Sequence, residues 1–241
     1  MAKPFSDVAH VAGRLVKAMV GILLIPPVVG LVMSIDGELQ SLASPDGSYA
    51  HWLLWGMTSY VGVHLLLYKP RGLFQFGHRL LARLAVWLFG GQVTTVGAEG
   101  ATRAKASGKS KGKAASAAHG STLVVLSPYV VPLYVILISL GAWLLGRWIK
   151  PELVVRPAAF LIGVSLALHI TMTADDLQQD RGRFPLELYV MALAISSFMS
   201  LLVAAMCLPL VIPEFEWMGV FAQAMAHAGG IYMAAVQMLF R

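Results

Sequence analysis

Read only as apolar and polar positions, the chain is a succession of long apolar runs separated by short polar breaks. The runs at 14–35, 51–68, 122–146, 157–174 and 186–212 each come near the roughly 20 apolar residues a helix needs to cross a bilayer. They are predicted as five spans. A last apolar run, 217–240, contains Gln223, His227 and Gln237 and either spans or lies at the interface. One more helix, 73–90, carries His78, Arg79 and Arg83 near its start. Arginine is expensive in lipid, so this helix is expected to be partly buried or re-entrant. Pro26-Pro27 interrupts the first run. Two adjacent prolines delete two backbone donors, so the helix should bend or break there unless neighbours satisfy the freed carbonyls. The expected fold class is an all-α polytopic membrane protein, with about six transmembrane helices plus the re-entrant or partly buried helix. It forms one integral membrane domain over residues 1–241, with no internal repeat.

The polar breaks orient these runs. Segment 36–50 carries Asp36, Glu38 and Asp46 with no lysine or arginine, and 213–216 carries Glu214 and Glu216. Segments 69–72 and 97–120 are basic. Cytoplasmic loops collect Lys and Arg, which predicts a multi-pass protein of the bacterial inner (cytoplasmic) membrane with both termini inside. Segment 147–156, with Arg147, Lys150 and Arg156 against Glu152, runs against this orientation. Reversal would export the more basic 97–120. That stretch, holding Arg103, Lys105, Lys109, Lys111 and Lys113 among Ala, Gly and Ser, reads as a flexible cytoplasmic loop. It serves as a topogenic loop, or as a patch for anionic lipid headgroups or an acidic partner. Lys3, Arg14 and Lys17 precede the first span, and no sharp cleavage site follows, so that span is expected to be retained.

Composition agrees. Of 241 residues, 58% are hydrophobic and 12% charged, about half the charged share of a soluble domain. Mean hydropathy is +0.72. The net charge of +6 would suit nucleic acid, but the basic residues flank apolar spans, and nucleic-acid binding is not expected. The single cysteine, Cys207, lies inside an apolar run and offers neither a disulfide framework nor a Cys metal site. Nucleophile-elbow, P-loop and dinucleotide-binding signatures are lacking.

Chemistry enters in the window Lys69–Gly91, KPRGLFQFGHRLLARLAVWLFGG. Set on the zincin pattern H-E-x-x-H, it reads His78-Arg79-Leu80-Leu81-Ala82. In a working zincin two histidines four apart hold Zn²⁺ from one helix face, and the glutamate is general base toward the bound water. Here the glutamate position holds arginine and the second histidine position alanine. This window and the following Trp87–Val93 (WLFGGQV) are accompanied by Ser127–Tyr134 (SPYVVPLY) and by Ala167–Ile170 (ALHI) with Gln179-Asp180.

Together these windows, over about residues 50–200, resemble the bacterial B-type branch of the site-2-protease-like zinc metallopeptidases. The resemblance implies that His78 occupies the first ligand position, that Asp180 is the distal carboxylate ligand, and that His169 is a nearby polar position. Alanine has no donor atom, and a guanidinium repels Zn²⁺ and takes no proton from water. A catalytic site needs three protein ligands and an open position. The resemblance therefore implies an inactive, metalloprotease-like scaffold with no metal or other cofactor expected. Such a protein serves as a binding, scaffold or assembly subunit whose partners are other membrane proteins or a transmembrane segment. The alternative is an intramembrane peptidase that assembles zinc from His78, His169 and Asp180. A third is a small transporter or channel, suggested by Pro26-Pro27 and the mid-span histidines.

Other positions have readings of their own. Arg79 and Arg83, four apart, either anchor at headgroups or pair with Asp175, Asp176 or Asp180. His64 lies one turn from both Tyr60 and Tyr68, placed for a buried hydrogen bond. Ala222, Ala226 and Gly230 are spaced as a helix-packing face beside His227. Glu187 is expected at a helix N-terminus, where the dipole favours a carboxylate.

Overall fold

The computed structural model describes residues 4–44, 47–66, 70–89, 129–179 and 186–240. Their helices are α1 (Pro4–Ser41), α2 (Tyr49–Leu66), α3 (Arg71–Phe89), α4 (Leu133–Leu145), α5 (Pro151–Gln179), α6 (Leu186–Cys207) and α7 (Trp217–Leu239). A two-residue antiparallel ribbon, Ala43–Ser44 with Gly47–Ser48, links α1 to α2. A 3₁₀ turn at Leu208–Leu210 leads from α6 toward α7.

Val11–Ser41, Pro151–Gln178 and Leu186–Leu210 are long and apolar enough to cross a membrane. The third expected span is represented by α4, which has 13 residues. At 1.5 Å per residue that is about 20 Å, short of a ~30 Å hydrocarbon core. Residues 122–128 of that expected span lie outside the described residues, as do 97–120 and Asp180.

Named contacts fix the helix directions. Arg14 meets Glu187 and Gly21 meets Met191, so α1 and α6 run parallel. Gly30 meets Ala224, and Leu23 meets Tyr232, so α7 returns antiparallel along α1. Gly56 lies on Phe160 and Val164, and His64 lies near Asp175, so α2 and α5 run parallel. The tight Gly146–Lys150 connection makes α4 and α5 antiparallel. Three helices thus point one way (α1, α4, α6) and three the other (α2, α5, α7).

The buried faces follow helical spacing. Leu31, Ile35 and Leu39 of α1, Ala50, Leu53, Gly56 and Tyr60 of α2, and Val220, Ala224 and Ala228 of α7 face inward. Small residues at these contacts let helix backbones approach closely. A Cβ added at Gly30 would run into the Ala224 carbonyl, one at Gly56 into the Phe160 carbonyl, and one at Gly163 into the Leu53 carbonyl. The opposite faces expose large apolar side chains, among them Leu15, Met19 and Ile22 of α1, Trp55 of α2 and Leu161 of α5. Apolar surface so extensive marks contact with a membrane or another protein.

Within the chain, Ala222, Ala226 and Gly230 of α7 are exposed, while Val220, Ala224 and Ala228 are buried, Ala224 against Gly30 of α1. Small residues occur on both sides of α7, so spacing alone does not say which side packs within the chain.

The first helix also departs from a simple break. It continues unbroken through Pro26 and Pro27. Proline at 27 removes the N–H that would bond the Leu23 carbonyl, and the Tyr232 hydroxyl of α7 donates to that carbonyl instead. Tyr232→Phe should therefore cost about 1–3 kcal/mol for an unsatisfied carbonyl, read as a lower midpoint of unfolding in detergent. Adding Pro27→Ala should recover most of it by restoring the backbone donor. Separately, Gly163→Val should lower the midpoint by driving α2 from α5 (roughly 1–3 kcal/mol for overpacking). Gly141→Ala, which meets open space, should not.

Candidate functional site

Several polar groups of the interior, among them His169 and Ser196, converge near the end of the bundle where α2 and α5 finish and α4 begins. Their centre is a main-chain oxygen. In an unbroken helix the Tyr129 carbonyl would accept the N–H of Leu133. Proline at 132 breaks the run, and Leu133 bonds the Val131 carbonyl at 3.0 Å instead. The released Tyr129 oxygen accepts from His169 Nε2 of α5 at 3.1 Å and from the Ser196 hydroxyl of α6. His169 is 6% exposed and Ser196 2%. A carbonyl only accepts, so Nε2 carries the proton. One freed carbonyl thereby joins the segment just before α4 to α5 and α6.

The Tyr129 side chain continues the connection, its hydroxyl donating to Asp176 Oδ2 at 2.9 Å. One residue earlier, Asp175 faces α2. Its Oδ2 lies 3.7 Å from His64 Nε2, an ion-pair distance rather than a hydrogen bond. His64 Nδ1 is 3.3 Å from the Tyr60 hydroxyl. On the same α5 segment, the Thr171 hydroxyl turns back to the Ala167 carbonyl at 2.7 Å.

Helix α3 closes one side. Phe74 is buried with Tyr60, Ala167, Leu168 and Met172. The Tyr134 hydroxyl donates to the Leu73 carbonyl at 2.6 Å. Gly77 gives room to the Tyr134 ring, which a Cβ there would approach to 3.1 Å. A small pocket remains between α3 and α5, lined by Arg71, Phe74, Gln75, Met172, Asp175 and Asp176. It has a cationic wall and an anionic one.

The expected site residues are distributed as follows. His169, Asp175 and Asp176 share this region. Arg79 and Arg83 are exposed on α3, and the hydrogen bonds and ion pairs seen at the two carboxylates come from Tyr129 and His64. Positions 78 and 82 belong to α3, but the side chains of His78 and Ala82 lie outside the described residues, as does Asp180. Among the described residues, no group of three His, Cys, Asp or Glu side chains is placed to hold a metal ion. Glu187 stands in the first turn of α6 as expected and also pairs with Arg14 of α1.

Sequence reading gave no role to Tyr129, Ser196 or Tyr232. The spacing Tyr129-x-x-Pro132 carried a signal, because a proline just downstream frees carbonyls that a buried helix must pair elsewhere. Nothing in the sequence pointed to Ser196 or Tyr232 as the partners. No family model, curated protein or solved structure matches this chain, so its family likeness rests on the residue windows alone.

What the arrangement does chemically is hold helices together. Asp176→Asn keeps an acceptor oxygen for the Tyr129 hydroxyl and should stay near wild-type stability. Asp176→Ala should lose about 1–3 kcal/mol. Chemical denaturation of the two variants in the same detergent checks this; equal loss in both would show that the charge, not the hydrogen bond, matters.

Proposed function

We propose that this chain is a multi-span protein of the bacterial inner membrane that works without catalysis, as a binding or assembly subunit for another membrane protein. Its scaffold is read as metallopeptidase-like, from the resemblance of its sequence windows. The observation that carries the reading is the mutual commitment of the interior polar groups. His169 spends its Nε2–H on the Tyr129 carbonyl, Asp176 takes the Tyr129 hydroxyl, and Asp175 faces His64. His169, the polar position nearest the expected ligands, and the two aspartates of α5 are used here between helices. Arg79 and Ala82, at the positions of a base and a second ligand, point the same way.

Six crossings are favoured by the alternating directions of α1, α2, α4, α5, α6 and α7. Charge supports placing the termini inside. Arg14, Lys17 and Arg71, with Arg79 and Arg83 of α3, lie toward the end where α1 begins and α2 finishes. Asp36, Glu38, Glu214 and Glu216 lie at the other, where Arg147, Lys150 and Arg156 run against the pattern. A metallopeptidase-like scaffold that has lost its metal can still hold a helix or an extended segment, because such binding does not come from the metal.

The test pairs metal content with reversion. The wild-type chain, purified from membranes, should carry far less than one equivalent of zinc and should cleave no added transmembrane peptide. Arg79→Glu with Ala82→His restores H-E-x-x-H and should raise zinc uptake if α3 keeps the zincin register. One equivalent of zinc in the wild type, lost together with peptide cleavage in His78→Ala, would overturn the proposal in favour of the peptidase reading.

A further inference from the structure

Cations gather at the end of the bundle from which α3 departs. Arg14 and Lys17 of α1 and Arg71 of α3 are there, and Lys69 is adjacent in sequence. The contacts described above hold α3 by its first two turns, through the Leu73 carbonyl, the Phe74 ring and Gly77. Beyond them Arg79 and Arg83 are exposed, four residues apart and so on one face. Phe76 is 63% exposed and lies within about 60° of both arginines at 3.6 residues per turn. Leu73, 49% exposed, continues that apolar edge. Paired guanidinia beside an outward phenyl ring, on a helix anchored by its other face, form an interfacial amphipathic surface.

We propose that this face of α3 lies in the headgroup layer and binds anionic phospholipid, with Arg79 and Arg83 on phosphate oxygens and Phe76 and Leu73 at the acyl boundary. A guanidinium presents its N–H donors as a fork that matches phosphate oxygens. Two things identify the occupant as lipid rather than an acidic protein. The exposed phenyl and leucyl groups need an apolar layer beside the charge, and the outer faces of α1 and α5 already present large apolar side chains such as Leu15 and Leu161. The inference goes beyond the proposed function and rests only on the bundle lying in a bilayer, not on any relation to peptidases.

The experiment reconstitutes the full chain in nanodiscs of mixed phosphatidylcholine and phosphatidylglycerol and measures the lipids retained on gentle release by native mass spectrometry. The wild type should enrich phosphatidylglycerol. Arg79→Gln with Arg83→Gln should lower that enrichment by about thirty-fold, from roughly five-fold for each basic residue at an anionic surface. Arg79→Lys with Arg83→Lys should keep most of it. Arg147→Gln, which removes a guanidinium stacked 4.6 Å above Trp143 at the far end, should leave it unchanged and controls for disturbance of the fold. The inference is overturned if the double glutamine variant keeps the wild-type preference. It is equally overturned if the preference disappears only when Lys105, Lys109, Lys111 and Lys113 are neutralised. Integration into discs without any lipid preference defeats this inference alone and leaves the subunit reading standing.

Discussion

A helix bundle in apolar surroundings must pair every main-chain polar group without help from water, and this chain places prolines where that is hardest. Two of the resulting vacancies organise the fold. The Leu23 carbonyl, orphaned by Pro27, is met by Tyr232, which fastens α7 along α1. The Tyr129 carbonyl, released ahead of Pro132, is met by His169 and Ser196, which draws the entry to α4 together with α5 and α6. Each proline therefore creates a directional demand that a neighbouring helix answers. Dispersion and small-residue packing supply most of the attraction between helices, but they fix orientation poorly. The carbonyl contacts fix it well.

The same constraint bears on function. Polar side chains inside such a bundle are few, and those used to satisfy the backbone are withdrawn from chemistry. His169 carries its Nε2 proton because a carbonyl faces it, so that nitrogen is not available as a metal ligand. Asp176 and Asp175 are each occupied with a side chain from another helix. On the proposed reading, arginine and alanine at positions 79 and 82 stand where a working site would hold its base and second ligand, and the polar contacts on α5 serve as joints between helices.

Much of the architecture was legible in the residues. Apolar runs located every described helix and set the ends of α2, α3 and α7 closely, while α1 and α5 extend well beyond their runs and α4 is much shorter than its run. Two features were not legible. The continuity of α1 through Pro26 and Pro27 depended on Tyr232, some two hundred residues away, which no local pattern could foretell. The inward face of α7 was the second, because Ala222, Ala226 and Gly230 repeat at the same spacing as the buried Val220, Ala224 and Ala228, so small size could not choose between them. In the candidate site, His169 and the paired aspartates were visible as polar positions in apolar runs. The role of Tyr129 was hidden, since its carbonyl matters more than its side chain and every residue has one.

The protonation and partner of His169 test the account most directly. Nitrogen-15 spectra of the membrane-embedded chain, with the Tyr129 carbonyl carbon labelled, should show Nε2 as an N–H close to that carbon, unchanged by added zinc or by a chelator. An unprotonated Nε2 whose resonance shifts on zinc addition and returns on chelation would contradict the account and place a working metal site where a structural joint is described.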